Sequence, residues 1–225
     1  MSGVEDLAAL VGQARRQGWA VGTGQLQRFR QQAAAMRWVE VPNRKGDAAL
    51  IPLRPVDRQD ARPNSLSARH GLDEQPLHTD GAHHYMPPHW VLLFTEHSTV
   101  TDTLLWSEMS PLTNPKHPMI HRPASVTGGV FTVRGGKSSF LASAYSGAGG
   151  YRYDPGCMTA GDQRARDAVA HFGSLNESAY RHQWNHVGMA LLIDNRRCLH
   201  GRAAVADREE PRELARVAFR TPAET

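Results

Sequence analysis

The chain has 225 residues, 40% of them hydrophobic and 21% charged, proportions that exclude a disordered or fibrous protein. No run approaches the roughly 18 apolar residues of a membrane helix, and the first twenty residues lack a signal-peptide apolar block, so a soluble, cytoplasmic chain is expected. Cys157 and Cys198 are the only cysteines, too few for a disulfide framework or a Cys-rich zinc site. The net charge of +4 is carried by arginine, with only Lys45, Lys116 and Lys137 as lysines. Arginine suits two-pronged recognition of carboxylates and phosphates. No block of basic residues appears, so the charge is a weak nucleic-acid signal.

In chain order, residues 4–16 (VEDLAALVGQARR) and 24–36 (GQLQRFRQQAAAM) have helical spacing and helix-forming composition. The texture then changes to short apolar runs: WVEVP, AALIPL, HWVLLFTE, TDTLLW, SVTGGVFTV, SSFLASAY, GMALLID and ARVAF, separated by Pro, Gly, Asn and Asp. A helix is expected around Thr159 to Phe172, with Asp162 and Asp167 near its start, and a second, short one from Asn176 to Trp184. Residues 55–64 read as an exposed loop, and the glycine-rich SGAGGYRYDPG as a mobile turn between strands. It lacks the Gly-Lys-Ser/Thr ending of a phosphate loop. Many short strands with turns between them give a mainly β (α+β) fold, a double-sheet jelly roll with the helices packed outside. Residues 1–225 are expected to form one domain, a helical buttress over about 1–40 and a core over about 41–221.

The richest segment is PLHTDGAHHYMPPHWVLLF, residues 76–94. His78 and Asp80 stand two apart, which on a strand places both side chains on one face. Imidazole and carboxylate ligands with positions left open are the signature of non-haem iron oxygenases. The spacing alone is poor evidence, and the surroundings carry the argument.

HTD followed by Pro87-Pro88 and the strand WVLLF, then TDTLLW, then GMALLIDNRRCLHGR and PRELARVAF, form an ordered set. Over residues 65–221 the chain resembles the taurine dioxygenase-like (TauD/TfdA, clavaminate synthase-like) family of Fe(II)/2-oxoglutarate-dependent oxygenases. The resemblance implies a double-stranded β-helix with Fe(II) held by His78, Asp80 and His200, where His200 follows the strand Gly188–Asp194. It implies 2-oxoglutarate as co-substrate, its far carboxylate fixed by Arg212, twelve residues beyond His200, and by Thr103. No catalytic residue beyond the metal ligands is implied. The reaction it implies is hydroxylation of an unactivated C–H bond, with 2-oxoglutarate and O2 converted to succinate and CO2. Desaturation and ring closure occur on the same scaffold.

Arg216 and Arg220 bear on the prime substrate. If 214–220 is a strand, Leu214, Arg216, Ala218 and Arg220 share one face and Ala215, Val217 and Phe219 the other. Arginines facing a core are costly unless anions meet them, so a small anionic or amino-acid-derived metabolite is the expected partner. The resemblance implies Arg216, four residues after Arg212, as its contact and places His83 in the active-site lid as another candidate, with Arg220 a further one on the same face. The same residues also scan as a solvated helix with Pro211 in its first turn. His84, His89 and His97 read as loop histidines, and Trp90, Trp106 and Trp184 as core. A nucleic-acid demethylase is disfavoured because the arginines run 212, 216, 220 and lack that group's Arg-x5-Arg segment. Two readings of other classes remain: a metal-dependent hydrolase, with Asp73 or Glu74 as general base, and a non-catalytic jelly-roll binding protein.

Overall fold

A computed structural model describes residues 6–63, 65–97, 99–116, 119, 122–205 and 212–222. Two antiparallel sheets face each other. The larger runs Trp19–Thr23, Met189–Asp194, Trp90–Phe94, Leu214–Arg220, and the free side of Leu214–Arg220 pairs both Val39–Val41 and Leu50–Leu53. The smaller runs Tyr180–Trp184, Thr99–Trp106, Leu199–Arg202, Gln75–His78. This is the expected double-sheet jelly roll.

Alternation along the central strands explains both cores. In Trp90–Phe94, Val91 and Leu93 point inward, meeting Leu191, Ile193, Leu214 and Ala218 of their own sheet and Leu105 and Trp184 of the other. Trp90, Leu92 and Phe94 point outward beneath the helices Leu7–Gln17 and Leu26–Ala35, which bury Leu7, Leu10, Phe29 and Ala33 there. Five consecutive buried residues thus serve two faces, as a strand covered on both sides requires. The first helix starts at Asp6, whose side chain accepts from Ala8 N, and stops at Gly18 in the left-handed region (φ 99°). The early residues of the expected helix 4–16 lie outside the described ones.

The outer face of the smaller sheet is covered by a three-stranded sheet (Met158–Ala160, Phe131–Gly135, Ser138–Ala142) and by the helix Gln163–Ser174. Phe172 of that helix stacks on Tyr153, ring centroids 4.1 Å apart. The inserted helix therefore packs outside the barrel, as expected.

Four local expectations are corrected. Residues 158–160 are a strand paired with Phe131–Val133, and the helix begins only after Asp162, whose carboxylate accepts from Ala165 N at 2.7 Å. Residues 176–184 are a 3-10 turn, Leu175–Ser178, followed by the strand Tyr180–Trp184, in which His182 and Trp184 face inward and their neighbours outward. That period of two decides for a strand. The start of SVTGGVFTV is a short helix, Ala124–Gly128, ahead of the strand from Phe131. The glycine-rich segment is a small hairpin, Tyr145–Ser146 with Gly150–Tyr151, whose Tyr151 and the following Tyr153 are buried. No described helix is long and apolar enough to cross a membrane.

Candidate metal and co-substrate site

The site lies at one end of the sandwich, in a cavity of about 1050 Å3 lined by His78, Asp80, His200, Thr103, Arg212 and Arg216 among others. His78 is the last residue of its strand, and Asp80 follows in the turn that Gly81 opens at φ 65°. His200 is not at the end of Met189–Asp194, as the sequence suggests. A tight turn at 195–198 sends the chain into the other sheet, where His200 sits within Leu199–Arg202. There it is the direct cross-strand neighbour of His78, and the two rings lie 4.6 Å apart. Gly201 permits the close approach: a Cβ there would stand 2.5 Å from Gln75 O. Two ligand candidates 122 positions apart in sequence thus become adjacent through strand pairing alone.

Their protonation suits metal binding. His78 Nδ1 lies 3.1 Å from Pro76 O; a carbonyl only accepts, so Nδ1 is the donor there and Nε2 is the nitrogen left to face a metal. His200 Nδ1 is buried without a partner. Burial and the neighbouring His78 lower the His200 pKa to about 3 against the pull of Asp80, so the imidazole is neutral at pH 7. Burial raises the Asp80 pKa, but the charge and hydrogen bond of Arg216 outweigh it, and the carboxyl is held well below the usual range.

By donor type, charge state and orphaned nitrogen, these residues fit a divalent metal ion. As they stand, no three His, Cys, Asp or Glu side chains among the described residues already form a metal-holding group. Asp80 Oδ2 instead accepts from Arg216 Nε at 2.6 Å. Arg216 projects inward from Leu214–Arg220, which is a strand and not a helix. Pro211, on which the helical alternative rested, lies outside the described residues.

Arg212 Nη2 donates to Thr103 Oγ1 at 2.8 Å, and both residues are buried. The sequence-expected co-substrate pair is therefore a bonded pair. His83 also lines the cavity, its Nε2 2.9 Å from Asn43 O and its ring 4.4 Å from His84. Arg220 is not brought to the cavity lining; its Nη2 donates to Met86 O at 3.0 Å. Asp73 pairs with Arg58 and Glu74 Oε1 accepts from Asn176, and neither lines the cavity.

Three supports escaped the sequence reading. Asn195, fully buried, accepts from Asp80 N at 2.9 Å and donates to Asp80 O at 3.0 Å and Pro88 O at 2.8 Å. The Asp-Asn pair was legible only as a turn. Thr79 N donates to Tyr153 O at 2.6 Å and Tyr153 N to Thr79 Oγ1 at 3.2 Å, bracing the residue between the ligand candidates. Arg152 donates to the carbonyls of Ala82, His84 and Tyr85 at 2.6–2.7 Å, holding the loop that follows Asp80.

The sequence profile of the Taurine catabolism dioxygenase TauD, TfdA family matches residues 110–218. Among solved structures, the fold is similar to an asparagine oxygenase in complex with Fe(II), 3-hydroxyasparagine and succinate (TM-score 0.70, 15% identity, 95% of this chain and 78% of that one). It is similar to the non-heme iron oxygenase OrfP in complex with Fe and alpha-ketoglutaric acid (0.65, 17%, 97% and 79%), and to the PvcB protein from Pseudomonas aeruginosa (0.63, 18%, 97% and 84%). No curated protein matches the sequence. The profile match spans just under half of the chain, and the likeness to these structures, at 15–18% identity, is one of fold, the double-sheet jelly roll.

Proposed function

We propose that His78, Asp80 and His200 hold Fe(II), that Arg212 and Thr103 hold the far carboxylate of 2-oxoglutarate, and that the enzyme hydroxylates a small anionic or amino-acid-derived metabolite in the cytoplasm. The observation that carries this reading is the convergence on one cavity of two imidazoles, one carboxylate and a buried Arg–Thr pair.

Iron bound there supplies dioxygen activation coupled to decarboxylation of 2-oxoglutarate. The chain's own residues do the rest. Arg212 offers a planar fork to the distal carboxylate, and Thr103 adds a hydroxyl. Arg216 Nη1 is buried without a hydrogen-bond partner, a donor left for a substrate anion. Gly81, His83, His84 and Tyr85 of the loop 81–88 form part of the cavity wall. The amino-acid products named for the asparagine oxygenase and for OrfP agree with such a substrate.

The test is an anaerobic titration of metal-free protein with ferrous iron and then 2-oxoglutarate, following the weak visible charge-transfer band of the chelate. One iron per chain, a band, and loss of both in His78→Ala and Asp80→Ala are expected. Iron binding without the band removes Arg212 and Thr103 from their roles. Absence of iron binding removes the whole assignment.

A further inference from the structure

Arg216 makes a contact that the reading above does not use: its Nε donates to Asp80 Oδ2 at 2.6 Å, with side chains 4% and 13% exposed. The arginine is fixed from behind. Its strand pairs Trp90–Phe94 on one side, with Arg216 opposite Leu93, and Leu50–Leu53 on the other, with Arg216 opposite Ile51. A residue in mid-sheet cannot slide without breaking both ladders, so the backbone of Arg216 is fixed, while Asn195 holds Asp80 N and O and leaves its carboxylate to be oriented by the arginine.

We infer that Arg216 is a positioning residue for the metal: by binding Oδ2 it presents Oδ1 of Asp80 as a single-oxygen ligand beside His78 and His200. The inference rests on the reading of Asp80 as a metal ligand and deepens it. Three features support it. A carboxylate engaged on one oxygen loses the freedom to chelate through both, which keeps coordination positions open. Partners bonded to a ligand's outer atom set its orientation and typically govern metal affinity by 10- to 100-fold. And the planar guanidinium has donors to spare. Nη1 lies off the edge that carries Nε–H and is buried without a partner, so one side chain can orient the metal ligand and still meet a substrate anion. The metal site and the substrate site then share a single group, a task beyond lysine's one ammonium point.

The opposite role is physically possible, since a guanidinium on Asp80 could simply compete with a cation. The sign of the metal response separates the two. Co(II) is titrated anaerobically into wild-type protein and into Arg216→Gln, Arg216→Lys and His78→Ala, following the visible d–d bands, with thermal melting as the folding control. Co(II) affinity is expected to fall about 10- to 100-fold in Arg216→Gln, with altered band intensity, and to recover only partly in Arg216→Lys. Equal or tighter Co(II) binding by Arg216→Gln overturns the inference while leaving the metal site intact. Should Arg216→Gln not fold, Arg216→Lys decides alone: wild-type affinity with an unchanged spectrum overturns the inference. If wild type binds no Co(II), or His78→Ala binds it equally well, the metal-site reading fails and takes this inference with it.

Discussion

The indole Nε1 of Trp184 donates to Thr103 Oγ1 at 3.0 Å, the same oxygen that accepts from Arg212 Nη2 at 2.8 Å. A threonine hydroxyl has two lone pairs and one proton. Both lone pairs are occupied from the protein side, so the proton is left for an acceptor in the cavity. Trp184 is buried core, as its sequence context suggests, yet it also decides which way the Thr103 hydroxyl donates.

That arrangement sets the first prediction. Thr103→Val keeps the shape and removes one hydrogen bond to a charged ligand, a loss of about 1.5–3 kcal/mol. The 2-oxoglutarate affinity of the iron-loaded protein is expected to fall by at least tenfold while iron affinity is retained. Trp184→Phe frees a lone pair on Thr103 and is expected to weaken 2-oxoglutarate less. Both are read from the visible band; unchanged affinity in Thr103→Val removes Thr103 from the co-substrate site.

A second prediction concerns Asn195, which clasps both ends of the loop from Asp80 to Pro88. Asn195→Ala strands three backbone groups in a buried setting, and unsatisfied buried groups cost about 1–3 kcal/mol each. Partial relaxation brings the expected total to about 3 kcal/mol in urea denaturation. Asn195→Asp keeps only the bond from Asp80 N and is expected to lose most of the same amount. A loss under about 1 kcal/mol in the alanine variant would show that the loop is held elsewhere.

The strands that carry chemistry were legible because their patterns are local. WVLLF, TDTLLW, GMALLID and LARVAFR each alternate or bury throughout, and the inward row Leu214, Arg216, Ala218 follows from period two alone. What was not legible is pairing. Nothing in the sequence says that His200 lies opposite His78, that Arg216 reaches Asp80, or that Arg152 reaches back across the loop 82–85. Those contacts are set by which strand edges meet, and strand pairing has no short-range code. Residues 176–184 misread as a helix for a related reason: Tyr180, His182 and Trp184 become a strand only when Thr99–Trp106 is there to pair with.

Arg152 supplies a third prediction. Its guanidinium binds three carbonyls of the loop 81–88 and lies 5.1 Å from the Phe140 ring centroid. Arg152→Met keeps much of the stem and removes the clamp. Hydrogen exchange of residues 81–86 is expected to accelerate at least tenfold, with exchange in Trp90–Phe94 unchanged, because the loop alone opens. Once a substrate is in hand, its KM should rise more than kcat falls. Protection in the loop equal to that of wild type would show that Asn195 suffices to hold it.

The last prediction is a pH dependence. His182 is 4% exposed, lies opposite Thr103 in the sheet, and sets its ring 4.6 Å from Trp184 in an edge contact. Burial, helped by Arg212 and opposed by Asp102, lowers its pKa to about 4. Its ordinary value is about 6.5, so above that pH neither folded nor unfolded chain is protonated there and stability is unaffected. As pH falls from about 6.5 towards 4, the unfolded chain takes up a proton that the folded one refuses, and stability drops by about 2 kcal/mol at pH 5. His200, lowered to about 3 by burial, acts in the same direction in metal-free protein. Urea midpoints of the metal-free protein should therefore fall between pH 7 and 5. His182→Gln, which cannot titrate, should lose about 2 kcal/mol of that difference. An unaltered pH dependence in His182→Gln would show that the acid sensitivity has another source.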